Sequence, residues 1–102
     1  MVIILIRRCV KPDKEAEFLA SYNRDKPTHR GFIDETLTKL NDSKSLPESM
    51  RSLDVGCKDC VTYLNVARWQ SAQDFHDHFK PQTMHDPDIE CSDRLRAVFE
   101  VV

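Results

Sequence analysis

The chain has 102 residues, a formal net charge of −2 and a pI near 6.0. That length suits one domain, residues 1–102, with a modest core that buries roughly 60–65% of the unfolded surface. With 15 Lys and Arg against 17 Asp and Glu, it lacks the basic surplus that nucleic acid or an anionic membrane would attract.

The opening run, Val2-Ile3-Ile4-Leu5-Ile6, is too short for a signal peptide and has no basic region before it. No apolar stretch approaches a membrane span. The expectation is a cytoplasmic protein. Residues 2–10 read as a strand. Val2, Ile4 and Ile6 share one face; Ile3, Leu5 and Cys9 share the other. Apolar residues on both faces predict cover on both sides, most simply from a second copy in a homodimer packed sheet to sheet.

Pro12 suits the first turn of a helix. Ala16, Leu19 and Asn23, with Phe18 and Tyr22, recur at helical spacing, and Pro27 predicts an end by Lys26. Gly31 turns the chain into a second strand over residues 32–40. Its mixed polarity predicts a sheet edge.

Residues 41–59 form a polar connection longer than the usual limit of about 12–15 residues. Leu46, Met50 and Leu53 are spaced i, i+4, i+7, and Pro47 is placed to open a short helix. Residues 61–69 read as a third strand. Val61, Tyr63, Asn65, Ala67 and Trp69 share one face, which makes Asn65 a primary amide amid apolar neighbours. A buried amide finds hydrogen-bond partners or costs roughly 1–3 kcal/mol, so Asn65 either caps backbone or holds a ligand.

Ser71 reads as an N-cap with Asp74 three residues on, opening a helix through Phe79. Ala72, Phe75 and Phe79 predict its inward stripe, with His76 pointing away and His78 at the margin. Pro81 and Pro87 predict a loop, and residues 95–102 a closing strand. The order strand, helix, strand, strand, helix, strand predicts an α+β, ferredoxin-like sheet. Strands one and three are expected central and parallel, with strand four beside one and strand two beside three.

The chain has four cysteines. Cys57 and Cys60 form a CxxC, but structural zinc wants four ligands. With parallel central strands, Cys9 and Cys91 fall at the opposite end of the sheet. Reduced thiols without metal are therefore the expectation.

Several pieces together resemble the antibiotic biosynthesis monooxygenase (ABM) family of the dimeric α+β barrels. They are the Arg68-Trp69-Gln70-Ser71 turn with Phe75 in the helix after it, Val10-Lys11-Pro12 with Lys14 to Phe18, and Gly31-Phe32. The resemblance implies a homodimer and a cavity between each sheet and its own helices. It also implies oxidation of a quinol, phenol or anthrone-like aromatic without metal, flavin or haem.

By that resemblance Asn65 and Trp69 would stabilise a developing oxyanion. His78 is the candidate general base. Tyr63, Phe75 and Phe79 would line the substrate site. The helix Tyr of such enzymes is Phe75 here, and the insertion at 41–59 replaces a plain hairpin. A non-catalytic small-molecule-binding or structural domain is the alternative on the same fold.

Overall fold

A computed structural model describes residues 1–24, 29–41, 45–50, 53–79 and 85–102; Pro27 and Pro81 lie outside them. The elements in order are β1 (Val2–Val10), a 3-10 turn (Pro12–Lys14), α1 (Glu15–Arg24), β2 (Phe32–Lys39), β3 (Val61–Trp69), α2 (Ala72–Phe79) and β4 (Leu95–Glu100). A further 3-10 turn at Glu48–Met50 lies in the insertion. The four strands run β2-β3-β1-β4, the expected order, with β2 at an edge. The architecture is α+β and ferredoxin-like.

All three strand pairings are antiparallel, including β1 with β3. This corrects the expected parallel pairing of the central strands. The reason lies in the connections. A helical crossover from β1 to β2 restores the chain direction, and the turn from β2 to β3 reverses it. Val2 therefore faces Trp69, and Val10 faces Val61.

That register sorts the sheet into two faces. Val2, Ile4, Ile6, Ala67 and Trp69 pack with Phe75 of α2, while Val10 and Tyr63 pack with Phe18 of α1. On the helix-free face, Ile3 pairs with Phe99, Leu5 with Ala97 and Arg7 with Leu95. A bulge between Phe32 and Asp34 shifts the alternation of β2, so that Phe32, Glu35 and Leu37 lie opposite Trp69, Ala67 and Asn65.

Two local signals position the second helix. Ser71 Oγ accepts from the Asp74 backbone N–H at 3.1 Å, the expected cap. Gly31 has φ +89°, and a Cβ there would lie 2.3 Å from the Asp74 carboxylate. Only glycine fits both the conformation and the approach. Within α2, Phe75 is buried and His76 exposed as expected, whereas Ala72 is exposed rather than inward. In α1 the inward residues are Phe18 and Tyr22; Ala16 and Leu19 are exposed.

The same register gathers all four cysteines at one end of the sheet. Cys9 is joined to Cys57 and Cys60 to Cys91, and no cysteine is free. The separation of Cys57 and Cys60 from Cys9 and Cys91, and the reduced thiols expected with it, are thereby corrected. The insertion is stapled at this end, away from Trp69. Met50 and Leu53 are solvent-exposed, at 70% and 80%, so they form no packed turn.

Beside the cysteines, Glu90 is buried at 1% exposure. Arg8 donates to both of its oxygens at 3.1 Å, Arg94 Nη2 donates at 2.9 Å, and the Asp86 backbone N–H donates at 3.1 Å. Burial pushes the Glu90 carboxyl up, but the hydrogen bonds from Arg94 and Arg8 outweigh it and hold the group down, at about 2. Because the folded value lies below the ordinary 4.5, the stabilisation is complete above that ordinary value. It is lost as pH falls through the folded one. Glu90→Gln should cost about 3–5 kcal/mol, since two arginines lose their buried partner. It should also flatten the acid limb of stability between about pH 4.5 and pH 2, measured by urea unfolding across that range.

Candidate functional site

The helix-covered face of β3 carries the site residues in a row. Trp69 stands at one end, 1% exposed. Phe32 and Phe75 meet it edge-on at 5.4 and 5.6 Å between ring centres, and Phe79 at 6.4 Å. His78 lies 5.9 Å from the indole, 4.6 Å from Phe79 and 4.9 Å from His29. The indole is thus a packed core residue within a ring of aromatic neighbours. Burial, and secondarily the neighbouring His29, lowers the His78 pKa below its ordinary value. Its imidazole is therefore neutral near pH 7, with one nitrogen able to accept a proton.

Asn65 sits four residues before Trp69, about 13 Å along the strand at ~3.3 Å per residue. It is buried and hydrogen-bonded on both sides. Tyr22 Oη donates to Asn65 Oδ1 at 3.2 Å, and Asn65 Nδ2 donates to Glu35 Oε2 at 3.2 Å. Burial raises the Tyr22 pKa well above the ordinary phenol value, and the nearby Glu35 charge adds to this. The phenol therefore stays a donor throughout the physiological range. Glu35 Oε1 is buried and has no hydrogen-bond partner among the described residues.

Tyr63 lies beyond, at the end where β3 begins. Its ring packs 4.7 Å from Phe18, and its hydroxyl donates to Glu15 Oε1 at 2.7 Å. Lys39 Nζ pairs with that same oxygen at 2.9 Å. Burial, then the Glu15 carboxylate, pushes the Tyr63 phenol up to about 12.

The structure brings Trp69, Phe75, Phe79 and His78 into one cluster. Asn65 lies in the middle of the strand, and Tyr63 belongs to the α1 end. Among the described residues Asn65 caps no backbone group, and its partners are the Tyr22 and Glu35 side chains. Tyr22 and Glu35 were not singled out by sequence. Tyr22 carries a signal, because it lies four residues after Phe18 on the same helical stripe. Glu35 carries none without the register, because the bulge in β2 turns it toward Asn65.

This arrangement offers a neutral phenol, a primary amide and a carboxylate in line, set between two aromatic clusters. Glu35 presents a buried carboxylate oxygen, without a partner among the described residues, next to the Asn65 amide. The amide can stabilise a developing negative charge on oxygen. Among the described residues, no set of three or more metal-ligating side chains is open to hold an ion.

No protein-family model and no curated protein matches the sequence. Solved structures do match it. A Bacillus cereus protein assigned to the antibiotic biosynthesis monooxygenases aligns at TM-score 0.50 and 15% identity, over 98% of this chain and 89% of that one. SnoaB, a cofactor-independent oxygenase from Streptomyces nogalater, aligns at TM-score 0.51 and 17% identity, over 99% and 92%. Along nearly its whole length, the chain has the fold of these oxygenases.

Proposed function

We propose that the protein is a cofactor-independent monooxygenase acting on a quinol, phenol or anthrone-like aromatic. The observation that carries this reading is the buried carboxylate oxygen of Glu35, unpaired among the described residues, beside the Asn65 amide. In a fold shared with a cofactor-independent oxygenase, that pair supplies what such chemistry asks of a protein. A base removes the acidic proton, and a donor holds the resulting oxyanion.

Glu35 takes the proton of an enolisable substrate, and the Asn65 N–H stabilises the enolate oxygen. Tyr22 fixes the amide through its carbonyl. The enolate then gives electrons to dioxygen. For an anthrone, one oxygen atom enters as a carbonyl at the methylene carbon, and the other leaves as water with its two hydrogens. Four electrons pass in balance from substrate to oxygen. Trp69, Phe75 and Phe79 form the aromatic wall of the site, with the neutral His78 at its edge and Tyr63 bounding the opposite end.

The packing of Trp69 within the aromatic cluster favours one other reading, a non-catalytic domain whose interior serves only stability. The two separate cleanly. Purified protein, with chelator present and no flavin added, should consume one oxygen molecule per anthrone oxidised. Asn65→Ala should lower the rate by about 10²-fold or more, and Glu35→Gln by a similar factor. If His78 rather than Glu35 is the base, Glu35→Gln keeps the rate and His78→Phe loses it. No oxygen uptake across quinol, phenol and anthrone substrates by the folded protein leaves the structural reading.

The working unit is a homodimer formed through the helix-free face. Leu95 and Phe99 are each 55% exposed there, beside Ile3, Leu5 and Val66. Unpartnered apolar surface of this kind marks an interface. Sedimentation should give twice the chain mass at micromolar concentration, and Phe99→Asp should give a folded monomer.

A further inference from the structure

The antiparallel register places four cysteine sulfurs in one corner of the molecule, on the helix-free face. Cys9 and Cys91 lie across from each other where the chain after residue 85 returns along β1. Val10 and Glu90 form an antiparallel bridge there. The Cys91 backbone N–H donates to the Cys9 carbonyl at 2.9 Å, and Cys91 Sγ lies 3.4 Å from that same oxygen.

Cys57 and Cys60 come from the insertion, in the turn Cys57-Lys58-Asp59-Cys60. Asp59 takes φ 59°, a left-handed conformation that Asp tolerates better than most residues. The Cys57 N–H donates to Thr62 Oγ1 at 2.7 Å, which pins this turn to the start of β3. Each disulfide joins one turn cysteine to one strand-end cysteine, so both pairs belong to one cluster. Their Cα separations are 5.8 and 7.0 Å.

We propose that this corner is a zinc site when reduced, with Cys9, Cys57, Cys60 and Cys91 as a four-thiolate set that two disulfides close when oxidised. A CxxC turn paired with two cysteines on adjacent backbone segments is the donor set of a structural zinc centre. Thiolate ligands of one zinc lie about 3.8 Å apart, from a Zn–S distance of about 2.3 Å in a tetrahedron. The Cα separations of 5.8 and 7.0 Å across the two pairs leave room for thiolates at that spacing after reduction.

In the oxidised state every sulfur is committed, and no open ligand set exists. Reduction by a thiol-class reductant delivers four electrons and four protons to the two disulfides. Zinc binding then releases protons as the thiols become thiolates. In both states the insertion stays fastened to the end of the sheet. The cross-link is covalent in one and coordinate in the other.

The test uses the full chain, reduced with a phosphine and titrated anaerobically with cobalt(II), then zinc. The expected result is one cobalt per chain, with the d–d and thiolate-to-metal charge-transfer bands of a tetrahedral sulfur site, bleached by one equivalent of zinc. The oxidised chain should give no such bands. Zinc should raise the unfolding midpoint of the reduced protein and leave that of the oxidised protein unchanged. Cys91→Ser should abolish the four-sulfur spectrum. A reduced, folded chain that binds no cobalt overturns the proposal. So does a spectrum unchanged in Cys91→Ser, because it assigns the metal to the turn pair alone.

Discussion

The antiparallel pairing of β1 with β3 decides where everything else in the molecule lies. The two strands match residue for residue from Val2 opposite Trp69 to Val10 opposite Val61. Because side chains alternate, this one register sends Ile4, Ile6, Asn65, Ala67 and Trp69 toward the helices together. A slip of β3 by one residue would send Asn65, Ala67 and Trp69 to the helix-free face while Ile4 and Ile6 stayed. The register also orders the face lengthwise, with the aromatic cluster at one end, the amide in the middle and the Phe18–Tyr63 packing at the other.

Two buried polar networks follow the same order and are satisfied to different degrees. Glu90 is held by two arginines and a backbone N–H, while the Arg8 guanidinium lies 4.6 Å from the centre of the Phe18 ring. This network joins the returning chain to β1 and to α1, so it fixes a corner rather than a single contact. Asn65 is satisfied differently. Its carbonyl and amide both reach side chains, and one buried oxygen of Glu35 beyond it has no partner among the described residues. A structural network tends to close on itself, because each unpaired buried acceptor costs about 1–3 kcal/mol. The first network is closed and reads as structure. The second leaves Glu35 Oε1 without a partner among the described residues, the feature on which the proposed function rests.

Much of the fold was legible in the sequence because it rests on local chemistry. Strand β3 spans Val61–Trp69 as its alternation predicts, Ser71 caps α2, and the strand order follows from element order and the weak edge character of β2. What escaped was non-local. The direction of β3 relative to β1 was misassigned, and with it the position of two cysteines. Glu35 faces the amide only because of a bulge that no composition signal marks. Asn65 stood out as a polar residue on an apolar face, yet its partners come from α1 and β2, 43 and 30 residues away in sequence. His78 was placed near the stripe by spacing, and its contact with Trp69 follows from that placement.

The described end of the insertion lies against the helix-free face of the sheet. A cavity of about 220 Å³ on the helix-free face is lined by Leu5, Arg7, Leu64 and Leu95 together with Asp54 and Val55 of the insertion. Arg7 Nε is buried there, without a partner among the described residues. Residues 54 and 55 lie on this face, and the Cys9–Cys57 cross-link follows them closely in the chain. The apolar surface available to a second copy is thus bounded on one side by a strap anchored at the cysteine corner. Whatever sets the state of those sulfurs also sets how firmly the strap lies against Leu5 and Leu64. The helix-covered face, with Asn65 and Glu35, is shielded from that change by the thickness of the sheet. The sheet thus separates the cysteine corner from the Asn65–Glu35 pair, whereas the corner and the helix-free face share the strap.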